Sequence, residues 1–516
     1  MTKLYDVIIS GAGPVGLLLA CELGLAGSSV LLLERDVKPE SAWKSNPVGF
    51  RGLHLPSIEL LYRRGLLDKL YDLSERPHLP PKGPGMQFGG HFAGIPLNLN
   101  QLDLNRWKYR LPGPSLMPGP ITIDRIEAVL AERAESLGVT ILRGHGFKRI
   151  VKENDNDITV EAGEEGTTFR GRWLVGCDGG RSVIRHAAGF EFAGTEATLT
   201  GYVVHCDLDH PDRLVPGFQP TRNGMYIFRK PDTVYLMDFD GGAGRTQELS
   251  RERIQDILNR VTGKTDVQIT AIHLATAFTD RSKQATEYRR GRVLLAGDAA
   301  HIHPPLGAQG MNTGLGDAMN LGWKLAASVR RERENGGGSG GTDYELVDTY
   351  EKERHPIGEF VLEWNRSQVA ALRPDETGYA VQKLIRDLIN TDDGVNHFID
   401  RVWGLSQRYD LGGEAHPAAG RSTPDFTFMD GSRLGPKMEG GRGILVDFEN
   451  DGEFKDLIAN GAYEGRVDYI GADVEDRRGI RALLIRPDGF VAWAVEEKSE
   501  NDIDGLKKAL EKWFEF

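Results

Sequence analysis

The sequence predicts an α/β fold: a parallel, doubly wound sheet with an antiparallel sheet inserted into it and a separate domain at the C-terminus. Three observations predict it. A strand–glycine turn–helix–strand unit fills the first thirty-five residues. Two later apolar strands run into turns that carry Asp178 and Asp298. Alternating apolar strands occupy most of the interval between those two turns.

In the N-terminal unit, LYDVII (4–9) is a short β-rich run, followed by GAGPVG, so that Gly11, Gly13 and Gly16 form GxGxxG. Pro14 and Val15 open a helix expected over Pro14–Ala26, with Leu17, Leu18, Ala20, Cys21 and Leu25 able to face a sheet. A second strand, SSVLLLE, ends at Glu34, with Arg35 next. This is a Rossmann-type βαβ unit. Glycine lets the backbone approach a pyrophosphate, and a helix N-terminus presents free N–H groups and a positive dipole to it. Glu34 stands where a carboxylate accepts hydrogen bonds from a ribose diol. A glycine-rich turn that binds nothing is the plainer reading of GxGxxG alone; both strands and Glu34 weigh against it. The unit suits FAD or NAD equally.

GRWLVGCDGGRSVIR (171–185) holds a strand at Trp173–Val175 that ends in GCDGG, with Arg181, Ser182 and Arg185 beyond it. VLLAGDAA (293–300) repeats the logic and ends at Asp298. Packing explains such an aspartate poorly, because the carboxyl ends of parallel strands form the ligand crevice. A carboxylate there can accept hydrogen bonds from hydroxyl groups such as those of ribitol.

Together GAGPVG…Glu34-Arg35, GCDGGRSVIR and GDAAHIHPPLGAQGMNTGLGDAMNLGWKLA resemble the group A, single-component, FAD-dependent aromatic monooxygenases of the para-hydroxybenzoate hydroxylase fold. FRGLHLPSIELLYRRGLLDKL, ITIDRIEAVLAERAESLGV and DTYEKERHPIG agree, and the likeness is strong over about 1–370. It implies non-covalent FAD with NADPH or NADH as co-substrate. Glu34 would hold the adenosine ribose, Arg51 would contact FAD, Arg125 would meet its diphosphate, and Asp298 would hold ribitol. Backbone N–H groups near Gly310, Met311 and Asn312 would meet the flavin N1–C2 edge, ahead of a helix beginning near Gly314. Pro305 and Gly307 would form the environment of the oxygen-reactive carbon. Asp178 belongs to a motif tied to FAD and NADPH handling and is expected to be partly structural. Many relatives have glutamine where this chain has Ile123, so any such contact is missing.

The resemblance further implies a C4a-hydroperoxide that passes oxygen to a bulky phenolic or polyketide-type aromatic. Baeyer–Villiger oxygen insertion and a non-catalytic flavoprotein that binds an aromatic ligand are the alternatives. Domain expectations are 1–185 with 286–370 for FAD, 186–285 for an inserted substrate-binding sheet, 371–414 for a helical connection, and 415–516 for a thioredoxin-like domain. That last domain has no cysteine, which excludes redox function there. Tyr226, Phe228, Tyr235, Met237 and Phe239 alternate along two strands. Core packing is the bland account of each; as a set, with Tyr226, Phe228 and Phe239 foremost, they are candidates for a substrate wall.

His301 and His303 form HxH, but the stretch leaves a strand for a proline loop and shows no further ligand cluster, so no metal is expected. Arg181 and Arg185 suit either NADPH phosphate or a solvated face, the latter favoured. His54 and His355 are read as satisfied or solvated, and Cys177 and Cys206 as small buried residues. ENGGGSGGTD (334–343) reads as a surface loop and 375–405 as helical.

The 516 residues allow two to four domains. A net charge of −12 argues against nucleic acid or an anionic membrane as partner. The three cysteines contain no CxxC and fit a reducing, cytoplasmic setting. No signal peptide is read and no run approaches a membrane span. The expected partners are a small aromatic substrate, O2 and NAD(P)H, with the chain a monomer or a homodimer.

Overall fold

The computed structural model describes residues 3–74, 79, 81–334, 344–412, 416–450, 452, 454–459, 463–496 and 502–515. The glycine-rich stretch after Glu334, expected as a surface loop, lies outside the described residues.

The central sheet follows the order Arg289–Arg290, Val293–Leu295, Thr167–Gly176, Leu4–Ser10, Val30–Glu34 and Thr140–Arg143. Its last five strands are parallel. Val7, Ile8, Leu31, Leu32, Leu174 and Leu294 are sealed from solvent, as parallel strands covered on both faces must be. The helix Pro14–Leu25 is buried at every residue from Gly16 to Leu23, more than a one-faced pattern implies. The sheet lies on one side of it and the helices Ile123–Ser136 and Gln309–Glu334 pack on it as well. Leu25 remains half-buried.

A second sheet, wholly antiparallel, runs Gly217–Thr221, Gly224–Arg229, Thr233–Asp238, Thr200–Leu208, Ile269–Thr279. The helix Arg251–Thr262 covers one face, where Ile254, Ile257 and Leu258 share a core with Tyr226, Phe228, Val234 and Leu236. The other face carries Met225 and Met237 into a different core with Leu306 and Trp364, with Ile227 and Phe239 at its margin. This corrects one expectation. Tyr226 and Phe228 sit under the covering helix and cannot share a wall with Phe239, because successive strand residues point to opposite faces. The register agrees: Tyr226 pairs with Leu236, and Ile227 with Tyr235.

The helices Glu376–Ile389 and Asp392–Trp403 occupy the stretch expected to be helical. Beyond them a mixed sheet runs Val467–Gly471, Gly443–Asp447, Ala482–Ile485, Val491–Val495, its first pair parallel and the others antiparallel. The helix Asp502–Phe514 packs on it through Leu506, Leu510 and Trp513. This is the thioredoxin-like layout, with RPDG turning the final hairpin. Among the described residues no helix is long and apolar enough to cross a membrane.

Candidate active site

The parallel register brings the three sequence motifs to one edge. Ser10 pairs with Gly176, and Gly176 with Leu295. Gly11 N donates to Leu33 O at 2.7 Å and Cys177 N to Ser10 O at 2.8 Å. The ends of these strands therefore open onto a common cleft of about 1040 Å³. Gly13, Arg51, Cys177, Asp298, Pro305 and Gly310 are among its lining residues. Cys177 is thus half-buried rather than buried, because its strand stops at Gly176. Cys206 is buried as expected.

The glycines of the first turn do different things. At Gly11 a Cβ would stand 2.4 Å from Cys177 O, and φ is +106°, so only glycine fits. At Gly16 a Cβ would lie 2.0 Å from Gly11 O. At Gly13 a Cβ would meet nothing within 4 Å. Gly11 and Gly16 close the turn on itself. Gly13 keeps empty space in front of the N-terminus of Pro14–Leu25, where a phosphate fits.

Asp298 is exposed to the cleft, and no described residue hydrogen-bonds its carboxylate. It is nonetheless so surrounded by protein that burial raises its pKa above the usual aspartate range, against the pull of His301 and Arg51. Burial likewise lowers Arg51, while Tyr235 and Asp298 raise it. Arg51 Nη1 donates to Val48 O at 3.1 Å and Phe50 O at 2.7 Å. A carboxylate of this kind, enclosed but open to one void, is suited to accept ligand hydroxyl donors.

His301 and His303 part company. His301 is buried, with Nε2 2.7 Å from Asp317 Oδ2. Burial alone would raise Asp317, but Arg354 and His301 outweigh it and hold the carboxyl below its ordinary range. His303 lines the cleft, has Nδ1 2.9 Å from Pro304 O, and leaves Nε2 without a partner. Burial lowers its pKa to about 4, so the ring is neutral near pH 7. Among the described residues no group of three or more His, Cys, Asp or Glu could hold a metal.

The helix expected near Gly314 begins earlier, at Gln309. Gly310, Met311 and Asn312 therefore lie in its first turn, where backbone N–H groups have no intrahelical acceptor. Ala308 holds φ +56° just before it. The Asn312 side chain, which sequence reading missed, pins this turn: Nδ2 donates to Gly52 O at 2.8 Å and Ala308 O at 2.7 Å. His54, read as satisfied or solvated, is satisfied: it hydrogen-bonds the Gly307 backbone, and burial lowers its pKa to about 4. Gln368 Oε1 accepts from Ala93 N at 3.0 Å, which fixes the amide's orientation, while its buried Nε2 has no partner. Signals for these roles were weak, because the contacts of Asn312 with Gly52, of His54 with Gly307 and of Gln368 with Ala93 span long sequence separations.

The other predicted residues are placed as follows. Glu34 Oε2 accepts from Ala12 N at 2.7 Å and Oε1 from Asp36 N at 2.8 Å, so the acid also fastens its own turn. Arg35 is largely exposed, beside Asp36. Arg125 is exposed, and its Nη2 donates to Lys69 O at 2.6 Å. Asp178 Oδ2 accepts from Val183 N at 2.7 Å and Ile184 N at 3.1 Å, while Oδ1 is buried and unpartnered. Arg181 is exposed, but Arg185 is not on a solvated face. Its guanidinium is buried against Phe192 and donates to Ala299 O at 2.9 Å and Gly180 O at 3.0 Å. His355 Nε2 lies 3.2 Å from Ala285 O.

A parallel sheet with a glycine turn, an open helix N-terminus and a free carboxylate at its carboxyl edge defines a dinucleotide-binding protein. The family model described as FAD binding domain matches residues 4–365, and that described as aromatic-ring hydroxylase, C-terminal, matches 416–515. The chain belongs to this family of FAD-dependent aromatic-ring monooxygenases. It is 48% identical to a monooxygenase of Claviceps purpurea (strain 20.1), over 98% of this chain and 97% of that one. The solved OxyS anhydrotetracycline hydroxylase from Streptomyces rimosus is 33% identical with TM-score 0.83, covering 100% of both chains. A dialkyldecalin synthase of Streptomyces rugosporus is 31% identical over 98% of each.

Proposed function

We propose that this monooxygenase hydroxylates a bulky phenolic, polyketide-type aromatic, consuming NAD(P)H and O2. The observation that carries the reading is Asp298 beside the first turn of Gln309–Glu334: a Cβ at Gly310 would lie 3.8 Å from Asp298 Oδ1. That places a free carboxylate next to free N–H groups in one cleft, the pairing that a polyhydroxyl chain ending in an electron-accepting ring requires. The anhydrotetracycline hydroxylase supports the substrate class.

Bound FAD supplies electron storage and oxygen activation. In this reading Gly11, Gly13, Pro14, Val15 and Gly16 receive its pyrophosphate, aided by Arg125. Glu34, with Arg35 beside it, takes the adenosine ribose. Arg51 lies against the cofactor, and Asp178 shapes the turn below it. Asp298 accepts from ribityl hydroxyls. The N–H groups of Gly310, Met311 and Asn312 meet the ring edge that becomes negative on reduction. Pro305 and Gly307 bound the reacting face. Phe239, with Tyr235 and Met237 on the same sheet face, walls the substrate; Tyr226 and Phe228 are left out of that wall. We assign 1–185 with 286–370 to FAD, 186–285 to substrate, 371–414 to the connection and 415–516 to the C-terminal domain.

The test is turnover of phenolic polyketides with NADPH or NADH under isotopically heavy O2. Heavy oxygen in a ring hydroxyl is the expected result. A lactone or ring-opened product would replace hydroxylation by oxygen insertion. Product without label, or flavin never bleached by either nicotinamide, would sink the oxygenase assignment.

A further inference from the structure

The C-terminal domain has no cysteine, yet it reaches far into the flavin-binding body. It holds two consecutive residues of the helix Glu345–Leu372, one directly and the next through Tyr409 at the end of the connection. Arg486 donates to Glu353 through Nη1 at 2.6 Å and Nη2 at 2.9 Å. Arg354 Nη1 donates to Tyr409 Oη at 3.1 Å. Tyr409 is itself fastened to the C-terminal sheet. Its ring lies 4.3 Å from that of Phe490, its N donates to Gly420 O at 2.8 Å, and Gly420 N donates to Val491 O at 2.8 Å.

From Arg354 the contacts lead to the floor of the cleft. Nε donates to Asp317 Oδ1 at 2.7 Å, and Nη2 to Thr313 O at 2.8 Å, in the second turn of Gln309–Glu334. Asp317 Oδ2 accepts from Gly297 N at 3.0 Å and contacts His301 Nε2 at 2.7 Å. Gly297 immediately precedes Asp298. Gly316 makes room for the cation: a Cβ there would stand 2.8 Å from Arg354 Nη2. Arg354 and Asp317 are wholly buried, so a displaced partner would leave an uncompensated charge that no water relieves.

We propose that the C-terminal domain sets the geometry of the flavin cleft through Arg354, a positioning residue that it holds by way of Tyr409. The domain thus acts on cofactor binding from outside the cleft. The inference rests on the assignment of FAD to the Asp298 cleft.

The test measures FAD dissociation constants, by release of flavin fluorescence, for Tyr409→Phe, Gly316→Ala, Arg354→Lys, Asp298→Ala and Phe428→Leu, each with a melting curve. Phe428 is buried in the C-terminal core, away from these contacts. Tyr409→Phe and Gly316→Ala should weaken FAD about five- to tenfold, the lower range of coupling between sites. Arg354→Lys, which keeps the charge but loses the planar fork that meets Asp317, Thr313 O and Tyr409 at once, should weaken FAD at least as much as Tyr409→Phe. Phe428→Leu should lower the melting temperature without weakening FAD. An unchanged constant in Tyr409→Phe and Gly316→Ala beside a weakened Asp298→Ala overturns the relay alone. An equal loss in Phe428→Leu overturns it too, because mere loosening would then suffice. An unchanged Asp298→Ala removes the cleft assignment and the relay with it.

Discussion

Asn312 and His54 join two segments 258 residues apart: His54 N donates to Asn312 Oδ1 at 2.8 Å. The same amide donates to Gly52 O and Ala308 O, so one side chain clamps the turn before Gln309–Glu334 to the strand Phe50–Leu53 that carries Arg51. Asn312→Ala should cost about 2–3 kcal/mol of unfolding stability, since three partly or fully buried groups lose their partner. It should also release FAD faster. Asn312→Asp keeps the acceptor but turns a charge toward two carbonyl oxygens, and should rank no better. Denaturant melts with and without added FAD check both.

Gly13 and Gly11 should separate cofactor binding from folding. Gly13 has φ −76° and an open surround, so Gly13→Ala should melt like the parent without FAD. Its methyl would occupy the cleft and weaken FAD about tenfold, or about 1.4 kcal/mol. Gly11→Ala, forced against Cys177 O, should destabilise the protein itself by about 2 kcal/mol or more. Equal FAD affinity in Gly13→Ala and parent would place the pyrophosphate elsewhere.

Asp298→Asn should act in opposite directions on the two states. The folded carboxyl has a raised pKa, so its contribution to stability falls as pH rises from the unfolded value through the folded one. Removing the charge should stabilise the FAD-free protein at neutral pH and lower its affinity for FAD. Thermal shifts of stripped and reconstituted protein read the two effects separately.

His54 and His303 govern the acid side. Burial lowers both to about 4, so the folded state binds fewer protons than the unfolded one between about 6.5 and that value. Stability present at neutral pH is therefore lost as pH falls through this window, by about 1–3 kcal/mol for each ring. His303→Gln should flatten the decline, measured by urea unfolding across the acid range. Neither ring should account for an activity pKa near neutrality.

Phe228 and Phe239, on opposite faces of the antiparallel sheet, should behave differently. Phe228→Ala opens a hole under the helix Arg251–Thr262 and should cost about 3–5 kcal/mol with substrate KM intact on the folded enzyme. Phe239→Ala should raise KM or redistribute the oxygenated products. Unchanged kinetics for Phe239→Ala would move the wall to another element.

Much of the nucleotide half was legible. GxGxxG between two strands, and aspartates at the ends of two more, are local patterns whose geometry follows from the chain within a few residues. The helix at Gln309 was placed too late because MNTG reads as a loop in isolation, while Asn312 holds that turn through partners in another segment. Arg185 was misjudged for a related reason. A charged residue after a turn is usually solvated, and only the fold brings Ala299 O and Gly180 O to meet its guanidinium.

The sequence by itself determined the order of strands and turns and the identity of the groups at the cleft edge, because backbone preference and side-chain period act over short distances. Tertiary structure decided which face of the antiparallel sheet is open, which histidine is paired and which faces the cleft, and that Tyr409 reaches Arg354. Those outcomes depend on which distant segments pack together, and the desolvation that fixes each buried charge exists only after they do.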